Sequence, residues 1–447
     1  MFFHRLSLIS PLEACMPSPR PSNHPLRYEL NEELHNHPYE PLNPPERVVL
    51  FVMLVSAEER AAEEAHLQAL LTEYAASLID TGHNRVRYDF GDFRLKIERH
   101  LEFTRYKFAW EPELDLREQP FAESLDARLP NGWLARIPGK MVTGLNITLL
   151  PHPSGVDDLA LFEQYAGHFD ARRLAGSSMG RSGAVVMTDF MIKDDDLIPM
   201  LVLSKTDVAS RNGRLILRLV ELDSYRSLAM LSLPIARKIL GKLPILEGEI
   251  ATLTEAIASG NGEDDETLLE RLTSIAARVE RMTAENFQHL SAALAYFDLV
   301  NQRLMELGEQ RIPQVSSIGG LLERRLEPAR RTCQAATHRL EYLSGRIAHT
   351  SQLISTRIEV RREIQNQSLL ISMNDNFQSQ LRLQETAKLL SYVIALYYGV
   401  NLLAFLLEKL DKFAPARFDP FLNLLWGVPV VIAILFMLFR RWHNGRQ

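Results

Sequence analysis

The amino-acid sequence predicts an α+β or α/β cytoplasmic domain, then a long helical and coiled-coil-like stalk, then a carboxyl-terminal hairpin of two transmembrane helices. Runs with strand-like patterns occur only before Pro234. Beyond it, apolar residues recur at the three- and four-residue spacing of packed helices. Two uncharged apolar runs, Leu389–Leu407 and Phe421–Phe439, end the chain. Each has about nineteen residues, enough for a helix to cross a hydrocarbon core.

These patterns divide the chain into five segments. They are a disordered leader (1–25), a cytoplasmic α/β domain (26–234), a helical stalk (235–388), a transmembrane hairpin (389–442) and a cytoplasmic tail (443–447). The net charge is −6 and no basic tract occurs, so we expect no nucleic-acid partner. Cys15 and Cys333 are too few for a zinc site without added histidines. No hydrolase signature is present, and we predict neither catalytic residues nor an enzyme.

The elements of the amino-terminal half follow from local patterns. Arg47–Val55 is a β-branched run that predicts a buried strand, and Ala57–Ile79 has the spacing of a helix packed on it. Arg85–Trp110 alternates apolar and polar residues, which indicates an antiparallel meander. Further strands are predicted at Gly144–Leu150, Ala184–Phe190, Met200–Thr206 and Arg214–Leu222, with a helix at Asp157–Phe169 and a hairpin signal at Asn212-Gly213.

Four stretches of this soluble part allow both a ligand-binding and a structural interpretation. His35 and His37 face one side only in an extended segment, and a surface turn is the alternative to a metal site. Gly176–Gly183 resembles a phosphate-binding loop but lacks the Gly-Lys-Ser/Thr ending and precedes a strand. The acidic runs Asp194–Asp196 and Glu263–Glu266 could hold a cation, or form a solvated turn and an acidic first helical turn.

The stalk is predicted to contain three helices. Two are Ile245–Ser259 and Glu263–Gly308, and the third runs from Leu321 to Asn401, a length of about 120 Å. Its apolar residues repeat every seventh position, with a second series of apolar residues between them, as in a coiled coil. This seam consists of Leu326, Cys333, Leu340, Ile347 and Ile354 with Ala329, Ala336 and Leu343. A heptad seam needs a partner face, so we expect a homo-oligomer.

The two apolar runs predict a membrane hairpin, because lipid offers no hydrogen-bond partner to a backbone outside a helix. A buried core helix is the alternative for either run alone. Arg440, Arg441 and Arg446 follow the second run, whereas Arg382 and Lys388 precede the first. The positive-inside rule then places both chain ends in the cytoplasm. We therefore predict a multi-pass membrane protein.

The end of the first run carries a specific motif. Tyr398-Gly399-Val400-Asn401 resembles the Tyr-Gly-Met-Asn signature of the CorA-like two-transmembrane metal-ion transporters, with Val400 in place of methionine. Trp426-Gly427-Val428-Pro429 and the basic end are similar to that family's second helix. The resemblance implies a pentamer whose stalk helices line a pore and whose Gly-x-Asn motif meets a hydrated cation. The opening His24–Asn31 also resembles a family of uncharacterised bacterial membrane-anchored proteins.

A pore face follows by counting back from Asn401 in helical steps, which gives one uncharged stripe. The stripe consists of Asn401, Tyr397, Ile394, Leu390, Ala387, Leu383, Ser379, Asn376 and Ser372. The candidate pore or ion-contacting residues are Asn401, Tyr397, Ile394, Leu390, Leu383, Ser379 and Asn376 of this stripe, together with Gly399 of the Gly-x-Asn motif. Amide and hydroxyl oxygens can meet a hydrated cation, and an apolar constriction can close by dewetting. The alternatives are that Asn401 only packs in the hairpin and that Asn376 and Ser379 only face solvent.

Two functions remain open at this point. One is a CorA-like membrane protein that passes a divalent cation, and the other is a membrane-anchored scaffold or regulatory protein that transports nothing. A divalent cation is expected only as a transported or regulatory ion, and no metal ligand set is predicted.

Overall fold

The structure is a computed structural model that describes residues 21–28, 30–31, 39–82, 84–259 and 264–411, and residues 427, 429–430, 432–433, 436–437 and 440–441. The predictions for His35 and His37, for most of the leader and for the tail 443–447 lie outside the described residues. The chain divides into two compact units. One comprises Met1–Glu255 with Arg271–Ala348, and the other Ala256–Glu270 with His349–Gln447.

The first unit contains a mixed sheet of ten strands. Only β6 and β9 are parallel neighbours, and all other neighbouring strands are antiparallel. The strand order is β10-β7-β8-β9-β6-β1-β5-β4-β3-β2. The strands are β1 (Glu46–Leu54), β2 (Ser77–Gly82), β3 (Arg85–Asp89), β4 (Arg94–Arg99), β5 (Phe103–Trp110), β6 (Lys140–Pro151), β7 (Ala175–Met179), β8 (Ala184–Thr188), β9 (Ile198–Ser204) and β10 (Glu309–Arg311).

Strand β1 lies inside the sheet, as its β-branched run predicts. It pairs with β5 on one side and β6 on the other, and Val49 lies opposite Phe108. Helix α1 (Arg60–Glu73) adds Leu67 and Leu70 to the same apolar cluster. The meander at β3, β4 and β5 is confirmed. The predicted helix is too long, because the chain enters edge strand β2 at Ser77.

Helix α2 (Asp158–Tyr165) confirms the helix predicted at Asp157–Phe169, with shorter bounds. Asp157 begins it as an N-cap, and its carboxylate accepts a hydrogen bond from the Leu159 amide at 3.1 Å. This is a common way to satisfy an amide that the first helical turn leaves without a backbone partner.

The strand predicted at Arg214–Leu222 and the hairpin at Asn212-Gly213 are wrong, because helix α3 (Ala209–Met230) covers both. Gly213 is required for a close approach, since a Cβ there would lie 2.0 Å from the carbonyl oxygen of Glu40. The buried Asn212 amide accepts a hydrogen bond from the Ser204 hydroxyl at 2.6 Å and donates one to the carbonyl of Thr206 at 3.2 Å. The Asn-Gly pair thus serves tight packing rather than a turn.

Three long helices follow, namely α4 (Ser232–Ser259), α5 (Asp265–Leu307) and α6 (Ile318–Asp411). The helical prediction after Pro234 is correct except at β10, which pairs with β7. Helix α4 begins earlier than predicted, because Pro234 is accommodated in its first turn, where a missing amide proton costs little, and because the helix continues through Pro244. Helix α6 has 94 residues and extends past both predicted ends.

The predicted seam of α6 is buried at every position. Leu326, Cys333, Leu340, Ile347 and Ile354 are all at most 9% exposed, as are Ala329, Ala336 and Leu343. An ion pair joins α6 to α4, with Arg339 Nη2 2.6 Å from Glu247 Oε2. The seam is therefore buried by other elements of the same chain, so it does not by itself require a second copy.

Candidate membrane segment and pore stripe

The carboxyl end of helix α6 is the most apolar part of the described chain. Within Ile318–Leu406 an uncharged window reaches a mean hydropathy of 1.9, and none of that window is buried. By length and composition this is the one helix among the described residues that could cross a membrane. We use the name membrane segment for residues 389–406.

Large apolar side chains point outward all around the membrane segment. Their exposed fractions run from 37% at Leu396 to 67% at Tyr398. The exposed set is Leu389, Leu390, Tyr392, Val393, Ile394, Leu396, Tyr397, Tyr398, Leu402, Phe405 and Leu406. A helix that is apolar on every side belongs in a protein core or in lipid. Among the described residues no core covers these side chains, which is a weak indication that the segment associates with a membrane.

One face of the membrane segment is less exposed than the rest. Gly399, Val400, Leu403 and Ala404 are half-buried, and their spacing puts them on one side of the helix. Gly427, from the second apolar run, lies against this face, because a Cβ on it would be 2.7 Å from Leu403 Cδ2. The described residues between 427 and 441 have helical backbone. The connector at 412–420 lies outside the described residues.

The Gly399-Val400-Asn401 motif lies inside helix α6, which continues to Asp411. The amide of Asn401 donates a hydrogen bond to the carbonyl oxygen of Tyr397, one helical turn back, at 3.0 Å. This bond uses the amide nitrogen and leaves the side-chain oxygen, the atom that a cation would contact, without a partner among the described residues. Asn401 is exposed in the single chain.

The other residues of the predicted stripe follow one another along the same helix and are exposed. Leu383 is 70% exposed, Leu390 62%, Ile394 47% and Tyr397 65%. Ser372, Asn376, Ser379 and Ala387 are exposed as well. One copy of the chain thus presents a row of positions rather than a closed site. The charged residues Arg382, Glu385 and Lys388 are also exposed and precede the membrane segment.

The glycine-rich loop at Gly176–Gly183 forms β7 and the turn into β8, so no phosphate-binding cradle exists there. Ser177 accepts a hydrogen bond from the amide of Ile318 at 3.0 Å and donates one to Glu309. Glu309 Oε1 also accepts from the Gly319 amide at 2.9 Å. In this arrangement the sheet caps the start of helix α6. Sequence reasoning missed it, and the available signal was Glu309, twelve residues before the predicted helix start at Leu321.

The acidic runs have structural roles where they are described. Asp195 accepts hydrogen bonds from the Leu197 amide at 3.1 Å and from the Asn146 amide at 3.2 Å. Asp265 lies in the first turn of α5 and pairs with Arg361 at 2.8 Å. Within the described residues no group of three or more His, Cys, Asp or Glu side chains is placed to hold a metal ion.

Comparison with known proteins adds a family but no activity. None of the curated proteins matches the chain. A family described as a protein of unknown function, DUF3422, matches residues 22–445, which is nearly the whole chain. The chain therefore belongs to the DUF3422 family.

Proposed function

We propose that the protein is a CorA-like, oligomeric protein of the bacterial inner membrane that passes a divalent cation along the stripe of helix α6. The observation that carries the proposal is the membrane segment, which is uncharged, helical and exposed on nearly every side. Leaving one large apolar side chain in water instead of burying it costs about 1.5–3 kcal/mol. Insertion in lipid removes this cost for the whole segment.

The order of elements supports the CorA-like part of the proposal. A mixed sheet is followed by two long helices and then by a single helix of 94 residues. That helix ends with the Gly399-Val400-Asn401 motif and an apolar run, and Gly427 of the next run approaches it. The resemblance to CorA-like transporters implies the same order of elements along the chain.

Cation passage requires several copies, because one helix cannot enclose a path. The stripe offers Asn376 and Ser379 at one end, Leu383, Leu390 and Ile394 in the middle, and Tyr397 and Asn401 at the other. Copies arranged with their stripes inward would surround water with amide, hydroxyl and apolar rings, the components of a gated pore. We therefore propose a homo-oligomer, with five copies if the CorA-like assembly applies.

Growth rescue tests the transport proposal. The full chain should restore the growth of a magnesium-transporter-deficient bacterium in low magnesium, and Asn401→Ala should abolish the rescue because it removes the polar ring. Val393→Ala is the matched control, because Val393 lies in the same segment but off the stripe, and it should rescue fully. A correctly inserted chain that never rescues growth with any divalent metal would contradict transport.

Two observations favour the second candidate, a membrane-anchored scaffold that transports nothing. The amide of Asn401 is bonded within its own helix, and Arg382, Glu385 and Lys388 lie just before the membrane segment. A scaffold predicts membrane insertion and oligomers in detergent together with no rescue. Reporters placed before Asn23 and after Gln447 test the topology of the hairpin: both should be active only in the cytoplasm, and an external carboxyl end would contradict it.

A further inference from the structure

Basic residues flank both apolar runs at the same end of the hairpin. Arg382 and Lys388 precede the membrane segment on helix α6, and Arg440 and Arg441 end the described part of the second run. All four side chains are exposed, and none makes a hydrogen bond or an ion pair with the described part of the chain. Glu385 adds one exposed carboxylate between Arg382 and Lys388. We call these five residues, with four positive charges against one negative, the juxtamembrane cluster.

The close approach of Gly427 to Leu403 sets the level of this cluster along the hairpin. Lys388 comes fifteen residues before Leu403, and Arg440 comes thirteen residues after Gly427. At 1.5 Å per helical residue, these separations are about 22 and about 20 Å along the two helix axes. Because the two helices of a hairpin run antiparallel, Lys388 and Arg440 lie at nearly the same level.

The cluster also lies on one side of α6. Glu385 is eighteen residues, or five full turns, before Leu403, so it shares the line of the helix that the second run approaches. Arg382 and Lys388 are three residues to either side of Glu385 and flank that line. Arg441 comes fourteen residues, close to four turns, after the glycine of the contact, which turns it towards α6. The cations therefore lie on the facing sides of two helices, around a single carboxylate.

The apolar surface beside the cluster is open. Leu403, Leu396 and Leu389 follow one another at seven-residue steps on the same side of α6. Leu403 is half-buried, Leu396 is 37% exposed, and Leu389, at the edge of the cluster, is 65% exposed. On the second run Met437, one turn before Arg441, is 72% exposed. The second run therefore covers α6 less and less towards the cations, which leaves an uncovered apolar surface next to them.

We propose that the juxtamembrane cluster binds one anionic phospholipid, with the phosphate among the four cations and an acyl chain on the uncovered leucines. The proposal rests on the membrane anchoring proposed above, which brings the cluster to the headgroup level of one leaflet. Basic residues at the end of a transmembrane helix attract anionic lipids. Long basic side chains also lie along apolar surface while their charged ends reach the headgroups. A free phosphate would use the cations but not the leucines, so a lipid fits the whole surface better.

Native mass spectrometry of the full chain in a nonionic detergent tests the proposal. Titration with dioleoylphosphatidylglycerol should show one bound lipid whose affinity falls about thirtyfold in Arg440→Gln/Arg441→Gln, because each cation near an anionic surface contributes about fivefold. Arg382→Gln/Lys388→Gln, on the other helix, should weaken binding to a similar extent. Glu385→Gln should strengthen it, because this change removes the one repulsive charge.

The matched control is Arg324→Gln/Arg325→Gln, which removes two exposed cations from α6 more than fifty residues before the cluster and should bind the lipid as the wild type does. Equal affinity of the control and both double variants would overturn the proposal, as would equal binding of dioleoylphosphatidylcholine. Competition by inorganic phosphate at the concentrations at which the lipid binds would identify a free phosphate ligand instead. A reporter after Gln447 verifies that each variant keeps its topology.

The failure of this proposal and the failure of the proposed function give different results. A chain that is inserted in the membrane but binds both lipids equally would contradict the lipid site alone. A chain that prefers the anionic lipid but never rescues growth would contradict transport alone. Recovery of the chain from the soluble fraction of cells would contradict both the membrane anchoring and the lipid site.

Discussion

Two stretches of helix α6 share one backbone conformation and have opposite surroundings. From Leu326 to Ile354 the apolar residues keep a seven-residue repeat and are buried. From residue 357 the repeat is broken by Arg361, Ser368 and Asp375, and nearly every side chain is exposed. The comparison teaches that the period of the apolar residues, and not their number, decides what a long helix packs against. A regular stripe is buried by the chain itself, whereas an all-round apolar surface calls for lipid or further copies.

The largest expected effect comes from truncating one leucine in each stretch. Leu343→Ala should lower the free energy of unfolding by about 2–5 kcal/mol, because Leu343 is completely buried and a cavity would remain. Leu383→Ala, at a position that is 70% exposed, should leave it nearly unchanged. Chemical unfolding of the full chain in detergent, followed by circular dichroism, measures both. Equal losses would mean that the exposed stretch is packed in the isolated protein.

Acid should weaken the first unit, which contains most of the first stretch. Burial alone would raise the pKa of Glu40, but Lys107 at 2.5 Å and Arg94 at 2.6 Å lower it to about 2. Because the folded pKa is below the usual 4.5, the stabilisation is present above pH 4.5 and is lost as the pH falls towards 2. The contribution of Glu40 to the free energy of unfolding that is lost in this way is on the order of 3 kcal/mol.

The pH dependence of unfolding checks this effect. Glu40→Gln should be less stable than the wild type at pH 6, and the difference should shrink as the pH falls towards 2. The control Glu64→Gln changes an exposed carboxylate and should follow the wild-type curve. Parallel curves for Glu40→Gln and the wild type would show that Glu40 does not titrate with folding.

A smaller effect on the free energy of unfolding is expected at the start of helix α6, just before the first stretch. Glu309→Ala removes the acceptor of the Gly319 amide and the partner of Ser177, leaving polar groups at the helix start unsatisfied. The cost should be about 1–3 kcal/mol. Glu309→Gln keeps one side-chain oxygen and should recover part of that loss. Hydrogen exchange at Ile318 and Gly319 should accelerate in Glu309→Ala, and unchanged protection there would argue against the cap.

The sequence predicts the parts of the fold that depend on periodicity. The strand at β1, the meander and the seam of α6 were correct because one repeat identifies each of them. Asn212-Gly213 was misread because the same dipeptide serves a hairpin turn or, as here, a helix packed against the backbone of Glu40. The hydrogen bonds that Ser177 makes with Glu309 and Ile318 could not be predicted, because they join residues more than a hundred positions apart.

The candidate pore stripe was less predictable from the sequence than the fold. The exposed row at Leu383, Leu390 and Ile394 follows from counting along a helix, but whether it encloses a path depends on other copies of the chain.

The most direct test of the account is thiol labelling of the full chain in its membrane. Single cysteines are introduced as Asn376→Cys, Ser379→Cys, Leu383→Cys, Leu390→Cys and Val393→Cys in a Cys15→Ser background; the native Cys333 is buried. A small water-soluble reagent should modify the first four, because their stripe faces water, and should leave Val393→Cys protected by lipid. Protection of Leu390→Cys, the one of the four stripe positions that lies inside the membrane segment, would contradict the pore stripe, and modification of Val393→Cys as fast as of Leu390→Cys would contradict the membrane segment.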